Sequence, residues 1–241
     1  MKLEKVKKLL RFIQNTPLHP QWLILRHESN SLKNICQKAN GRILDIGCAE
    51  KKPLNHLPAN SNYIGLDYYF TAQNLYMTKP DIFGDAQNLP IASNSIDTVL
   101  LLDVLEHLPY PEQCIGEISR TLKKNGKLWI QVPFMYPIHD APLDFHRWTE
   151  YGLKNLASKH ELSIEEKHYF GKPLETASLI INIATCKTVL NWIEKKHPLS
   201  ITAMLLPFTI PLINTIGWLS FKLSSPDDMM PLGYYMLWTK N

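Results

Sequence analysis

Along most of this chain, short apolar runs alternate with stretches whose apolar residues fall three and four apart. The first pattern suits strands buried on both faces, the second helices with one buried stripe. Strands are expected at 42–46, 62–67, 81–84, 96–102 and 127–132, with helices between them and a helical segment before residue 40. Pro111 opens a helix over 112–122, since proline in a first turn gives up an N–H that has no partner there. Thr149 caps a helix running to about Lys159, and 162–169 reads as a sixth strand with imperfect alternation. Strands and helices alternating in this way build a mostly parallel sheet.

The first run ends in Asp45-Ile46-Gly47-Cys48-Ala49. Gly47 can take backbone angles closed to other residues, and Ala49 adds only a methyl, so a ligand can lie close to the main chain. The helix expected next would point unpaired N–H groups at a ligand anion. Asp67 lies twenty residues beyond Gly47 and closes Tyr63-Ile64-Gly65-Leu66, where an open α/β sheet sets a carboxylate against ribose hydroxyls. Together they describe a nucleoside site, a tight turn with no ligand being the plain alternative on this segment alone. A nicotinamide fingerprint fits poorly, because Ala49 and Lys52 stand where it needs glycines.

Further motifs narrow the reading. Gly84-Asp85-Ala86-Gln87-Asn88-Leu89-Pro90 follows the third run, the fourth leads into Asp103-Val104-Leu105-Glu106-His107-Leu108, and a turn at Gly126 precedes the fifth. Over roughly residues 41 to 169, and again at Pro231-Leu232-Gly233-Tyr234, the chain resembles the class I S-adenosylmethionine-dependent methyltransferases, in the type 11-like branch with Leu-Glu-His-Leu after the fourth strand. The resemblance implies an α/β fold: a Rossmann-like open sheet of about seven strands with an antiparallel last strand, best placed at 233–239. A helical segment 1–40 would precede the methyltransferase core of 41–170 and 231–241, and 171–230 would be a helical apolar insertion. The implied cofactor is S-adenosylmethionine. Gly47 and its turn would meet its methionine part, Asp67 its ribose, and Asp85, supported by Ala86, its adenine amino group; Asp45, Cys48, Ala49 and Asp103 would line the same pocket. Where the family usually reads Gly-x-Gly-x-Gly, this chain has Gly47-Cys48-Ala49-Glu50-Lys51, followed by the Lys52-Pro53 pair that some members of the branch carry nearby.

Methyl transfer from a sulfonium releases a neutral group and needs no acid. A base is required only for a hydroxyl or protonated amine acceptor. Acceptor groups are expected on the loops after the fourth and fifth strands, at the carboxyl ends of the sheet. Within the second loop, Asp144-Phe145-His146-Arg147-Trp148-Thr149 resembles an Asp-aromatic-x-Arg-aromatic-Thr signature of the branch. His139 with Asp140 is the first candidate base and His146 the second. Arg147 would bind an acceptor phosphate or carboxylate with Asp144 alongside, unless the two form a loop-bracing salt bridge. His107 is either structural or lines the acceptor pocket. The expected reaction is methylation, at oxygen, of a small-molecule, glycan or lipid-linked acceptor. The alternative is a non-catalytic cofactor-binding scaffold at a membrane surface.

A length of 241 residues suits one α/β domain with an appendage, and 45% hydrophobic against 20% charged residues excludes global disorder. The net charge of +4 is concentrated at Lys2, Lys5, Lys7, Lys8 and Arg11, among which Leu3, Val6, Leu9, Leu10 and Ile13 fall at helical spacing. That is a short basic amphipathic helix, solvated or laid on anionic lipid. No nucleic acid partner is expected, since no long basic stripe with interleaved aromatics follows. Cys36, Cys48, Cys114 and Cys186 are far apart and show no metal spacing, so no metal is expected and a reducing compartment is. The charged N-terminus has no apolar leader core, which makes the cytoplasm the expected address, peripheral at the inner face of the membrane.

Residues 199–221 carry no charged side chain. As a straight helix they would extend about 35 Å, against a hydrocarbon core of about 30 Å. Pro207 and Pro211 interrupt them, Thr209, Asn214 and Thr215 add polar groups, and a span would strand 231–241 away from the sheet. Broken helices on one leaflet, or a buried lid or homodimer surface, are the two expectations, with 174–193 as a second apolar helix beside them.

Overall fold

The computed structural model describes residues 12–241, and the basic helix expected over 2–11 lies outside the described residues. The chain divides into two compact units: one of 31–134, 138–169 and 233–241, the other of the residues up to Asn30, 135–137 and 170–232.

The sheet is built from β1 (Arg42–Ile46), β2 (Asn62–Asp67), β3 (Ile82–Phe83), β4 (Ile96–Leu102), β5 (Leu122–Pro133), β6 (Leu162–Phe170) and β7 (Gly233–Lys240), in the order β3-β2-β1-β4-β5-β7-β6. Strands β1 to β5 pair in parallel, and β7 runs antiparallel to β5 with Tyr234 opposite Val132. This is the expected Rossmann-like sheet with its reversed last strand. Strand order turns back between β1 and β4, which opens a crevice at their carboxyl ends. Helices α1 (Trp22–Lys38), α2 (Pro111–Thr121) and α3 (Glu150–Ser158) accompany it. Period-two alternation sends Ile43, Leu100, Trp129 and Leu237 to one face, against Ile35 and Cys36 of α1. Leu44, Val99, Leu101, Ile130 and Trp238 go to the other, against Ile115, Ile118, Leu153 and Leu156 of α2 and α3. Each such side chain contributes roughly 1.5 to 3 kcal/mol on burial. Thr149 caps α3 as expected, its Oγ1 accepting from the Gly152 N–H at 3.1 Å.

The helices expected between the strands fail in two places: none forms between β3 and β4, and the one after β1 is cut short. After β1 the chain makes only a short 3-10 turn, Lys52–Asn55, with Lys51 left-handed at φ 54° ahead of it and Pro53 inside it. Pro58 follows closely, and two prolines so near each other leave no room for a long helix. The helix N-terminus expected to face a ligand anion is therefore not formed.

In the second unit, α4 (Pro173–Glu194) is followed by a 3-10 stretch (Pro198–Leu205) and α5 (Leu206–Leu223). Gly217 of α5 lets the backbone come close: an added Cβ would lie 2.9 Å from both Leu23 Cδ1 and Ser178 Cβ. Beside it, buried Asn182 donates to Asn214 Oδ1 at 2.9 Å, and Asn214 Nδ2 donates to the carbonyls of Pro17 and His19. Phe208, Leu212, Ile216, Leu219 and Leu223 of the same helix are exposed.

Candidate active site

Four aspartates stand at or just beyond the carboxyl ends of β1 to β4: Asp45, Asp67, Asp85 and Asp103. Asp67 is buried and accepts from the Ala49 N–H at 2.9 Å, the Tyr68 N–H at 2.8 Å and Thr71 Oγ1 at 2.8 Å, so it ties the turn after β1 to the end of β2. Asp45 accepts from the Tyr63 hydroxyl at 2.5 Å, and its burial pushes the carboxyl up to about 7, a shift that bond opposes. Asp85 caps its own turn by accepting from the Gln87 N–H at 2.8 Å, with Ala86 buried beside it. Asp103, left-handed at φ 54°, accepts from Gln131 Nε2 at 2.7 Å, and Gln131 in turn accepts from Ser31 Oγ at 2.5 Å.

Gly47 has φ 73°, and a Cβ there would come within 2.4 Å of Val104 Cγ2. Only a residue without a Cβ fits between this turn and Val104. The N–H groups of Gly47 and Cys48 both donate to the Leu66 carbonyl, at 2.8 and 3.1 Å, so the turn consumes its own donors. Burial pushes the Cys48 thiol up to about 12, which keeps it a packing group rather than a nucleophile.

The loops after β4 and β5 meet around one buried carboxylate. Glu106 is fully buried, and neither of its side-chain oxygens has a hydrogen-bond partner. Burial, then the neighbouring Asp103, hold its carboxyl well above the usual range. His107 Nε2 lies 3.7 Å from Glu106 Oε1 and His139 Nε2 3.8 Å from the same atom. On their far sides, His107 Nδ1 is 2.7 Å from the Leu143 carbonyl and His139 Nδ1 3.3 Å from Asp144 Oδ2.

The expected pairing of His139 with Asp140 is corrected by this geometry. Asp140, left-handed at φ 46°, turns aside and accepts from the Tyr76 hydroxyl at 3.0 Å, while Asp144 reaches the imidazole. Arg147 forks onto Asp144, with Nη1 to Oδ1 at 2.6 Å and Nη2 to Oδ2 at 2.7 Å, and holds that carboxyl down at about 2. Arg147 also donates to the His146 carbonyl at 2.7 Å, so it braces the loop. His146 lies against Trp148 with ring centroids 5.5 Å apart, and its buried Nε2 has no hydrogen-bond partner. The structure therefore brings together His107, His139, Asp144 and Arg147 and leaves Asp140 and His146 at the margin of the cluster. Glu106, Gln131, Tyr63 and Tyr76 join the site without having been expected there. For Glu106 a signal existed, a carboxylate set between Leu105 and Leu108 where a buried apolar residue would be expected.

The methyltransferase domain family matches residues 44–130, which take in β1, the aspartate-bearing strand ends and Glu106. The matched stretch is the one that carries the nucleoside-site motifs, and its likeness is to a methyltransferase domain. This chain is 29% identical over 143 residues to a sterol 24-C-methyltransferase of Schizosaccharomyces pombe, covering 54% of this chain and 38% of that one. It is 23% identical over 170 residues to a fatty-acid O-methyltransferase of Mycolicibacterium smegmatis, covering 65% of this chain and 60% of that one. Less than two thirds of either relative is therefore matched. A crystal structure of an S-adenosylmethionine-dependent methyltransferase from Archaeoglobus fulgidus shares the fold, with a TM-score of 0.54 at 13% identity over 90% of this chain and 93% of that one.

The cofactor that the methyltransferase likeness implies is S-adenosylmethionine. Its sulfonium and ammonium are cationic, and its ribose hydroxyls and adenine amino group are donors. A crevice edged by the acceptors Asp45, Asp67, Asp85 and Asp103 has the complementary chemistry, so the residues present fit the group.

Proposed function

We propose that this protein methylates a hydroxyl of a small-molecule, glycan or lipid-linked acceptor, working from the cytoplasmic face of a membrane. The observation that carries the proposal is the imidazole of His139, held on one side by the Asp144–Arg147 pair and placed beside Glu106 where the loops after β4 and β5 converge. When bound, the cofactor supplies an activated methyl group on a neutral leaving group. Asp67 and Asp85 would hold its ribose and adenine ends, with Asp45 and Asp103 lining the rest. The protein must keep the acceptor oxygen in line at about 3 to 3.5 Å, which can contribute roughly 7 to 11 kcal/mol. His139 takes the acceptor's proton, with Asp144 orienting the ring and stabilising its charged form, an effect typically of about 10² to 10⁴-fold. Tyr69, Phe70, Met77, Ile138 and Phe145 are exposed on the segments that carry these groups and suit an acceptor with an apolar portion. The sterol and fatty-acid relatives favour the same class.

The test uses purified protein, methyl-labelled cofactor and fractionated cell extract. Label should pass to a lipid-soluble or glycan fraction. Calorimetry should show cofactor binding that Asp67→Ala weakens by about 1.5 to 3 kcal/mol, through lost charged hydrogen bonds and a loosened turn. His139→Ala should lower turnover roughly tenfold or more and leave cofactor affinity within about twofold. No cofactor binding by the wild-type chain would sink the reading, and binding without turnover on any fraction would favour a scaffold.

A further inference from the structure

We propose that Glu106, His107 and His139 form a binding site for a divalent first-row transition ion of the Zn²⁺ or Mn²⁺ kind. One ligand atom from each lies within 4.8 Å of the others. Each imidazole is held from behind: His107 Nδ1 against the Leu143 carbonyl at 2.7 Å, and His139 Nδ1 against Asp144 Oδ2 at 3.3 Å. Asp144 is itself fixed by Arg147. A carbonyl or carboxylate behind Nδ1 accepts a hydrogen bond from a protonated Nδ1 and leaves the Nε2 lone pair facing forward, as metal-bound histidines are commonly oriented. Both Nε2 atoms face Glu106 Oε1, at 3.7 and 3.8 Å, too far for hydrogen bonds.

The buried carboxylate has no donor on either oxygen. With Glu106 ionised, three acceptors converge on one point, an arrangement that a bound cation would relieve. Bonds of about 2.0 to 2.2 Å at tetrahedral angles separate ligand atoms by about 3.4 Å, close to the spacing observed. Two imidazoles with one carboxylate suit zinc or manganese better than calcium or magnesium, which prefer all-oxygen shells. Three protein ligands also leave a position open. For its use in turnover the ion rests on the proposed methyl transfer: in the ion-loaded chain it would hold the acceptor oxygen and ease loss of its proton to solvent water, and His139 serves as the base described above in the ion-free chain. Binding itself does not depend on that reading.

The experiment titrates the untagged full chain, stripped by chelator, with Zn²⁺ in a calorimeter and with Co²⁺ in a spectrophotometer, and measures S-adenosylmethionine binding in parallel. A single saturable ion per chain is expected, with the visible absorption of low-coordinate Co²⁺. Glu106→Gln and His107→Ala should each weaken binding roughly tenfold or more. Glu106→Gln should keep the wild-type circular dichroism and cofactor affinity. Absence of saturable binding, or binding that survives both substitutions, would overturn the site. So would a proton-linked shift of the His107 and His139 resonances as the only change, which would mean that protons alone balance Glu106. Ion binding without cofactor binding would sink the methyl-transfer reading and leave the site standing.

Discussion

At the scale of single residues, two carboxylates in the crevice are displaced in opposite directions by their surroundings. Asp144 sits in the fork of Arg147, which holds it at about 2 instead of 3.8, whereas burial lifts Asp45 from 3.8 to about 7 despite the Tyr63 hydroxyl. Separated environments of this kind let one site carry both a fixed negative charge and a carboxyl that is neutral near the bottom of the physiological range. For Asp45, a raised folded value means that the folded chain binds its proton more tightly than the unfolded chain does. No stability is lost below about pH 3.8, loss grows as pH rises toward about 7, and it is complete above that, amounting to at most about 4 kcal/mol. Asp45→Asn keeps an acceptor for Tyr63 and removes the titration. Urea denaturation should show the variant gaining stability over the wild type between about pH 5 and pH 8, by about 2 kcal/mol or more. Parallel pH profiles for the two proteins would mean that Asp45 stays charged in the fold.

At the scale of elements, the strands are legible because their apolar runs are closed by turn residues, and β1 to β7 overlap the expected positions, except that β5 begins at Leu122 and takes up the expected turn at Gly126 as a register shift against β4. The reversed last strand follows from the family resemblance and the short apolar run at its end. What periodicity does not show is how turns spend their hydrogen bonds. The segment after β1 promises a helix by position, but left-handed Lys51 and Pro53 shorten it to one turn. The loop after β5 is legible as rich in chemistry, yet its internal pairing is not, because sequence neighbours such as His139 and Asp140 leave a left-handed backbone in different directions. Glu106 escapes because Leu105 and Leu108 make its segment look like core. Bracing of this loop is measurable. The Asp144–Arg147 fork contributes stability that is present above about pH 3.8 and lost as pH falls through about 2. Asp144→Asn should therefore cost about 2 kcal/mol at neutral pH by denaturation, since the shift from 3.8 to about 2 corresponds to roughly that much. It should also lower turnover more than it lowers cofactor affinity, because it frees the His139 ring. A variant as stable as the wild type would show that other contacts hold the loop.

At the scale of the whole molecule, the described part of the chain holds two units, the second of which buries Asn182 and Asn214 among Leu23, Leu179, Val189 and Ile210. The sheet unit is apolar inside, in the usual way. In the unit containing 170–232, the inner face of α5 presents Asn214, bonded to Asn182 and to the carbonyls of Pro17 and His19. Its outer face presents Phe208, Leu212, Ile216, Leu219 and Leu223, preceded by exposed Leu199, Ile201, Met204 and Leu205. No charged side chain interrupts this stripe over 199–221. At its end, Lys222 lies 4.0 Å over the Trp218 ring and Arg26 5.7 Å from the same ring, a cation–aromatic pairing suited to a headgroup layer. The segment 198–223 is long and apolar enough to cross a bilayer, but its polar inner face is already committed to partners within its own unit. The proposed membrane attachment would lay it in the plane of a leaflet, with Lys195, Lys196 and Lys222 drawn to anionic lipid. Sedimentation with vesicles containing anionic lipid should carry the full chain down, more weakly in high salt. Phe208→Glu combined with Leu212→Glu should reduce binding roughly tenfold or more, since each side chain contributes roughly 1.5 to 3 kcal/mol when buried in lipid. Both positions are exposed, so the unfolding midpoint should not fall. A wild-type chain that stays in the supernatant with vesicles would remove the membrane reading. If it then proves dimeric by sedimentation equilibrium, and the same double substitution makes it monomeric, the stripe is covered by a second copy instead.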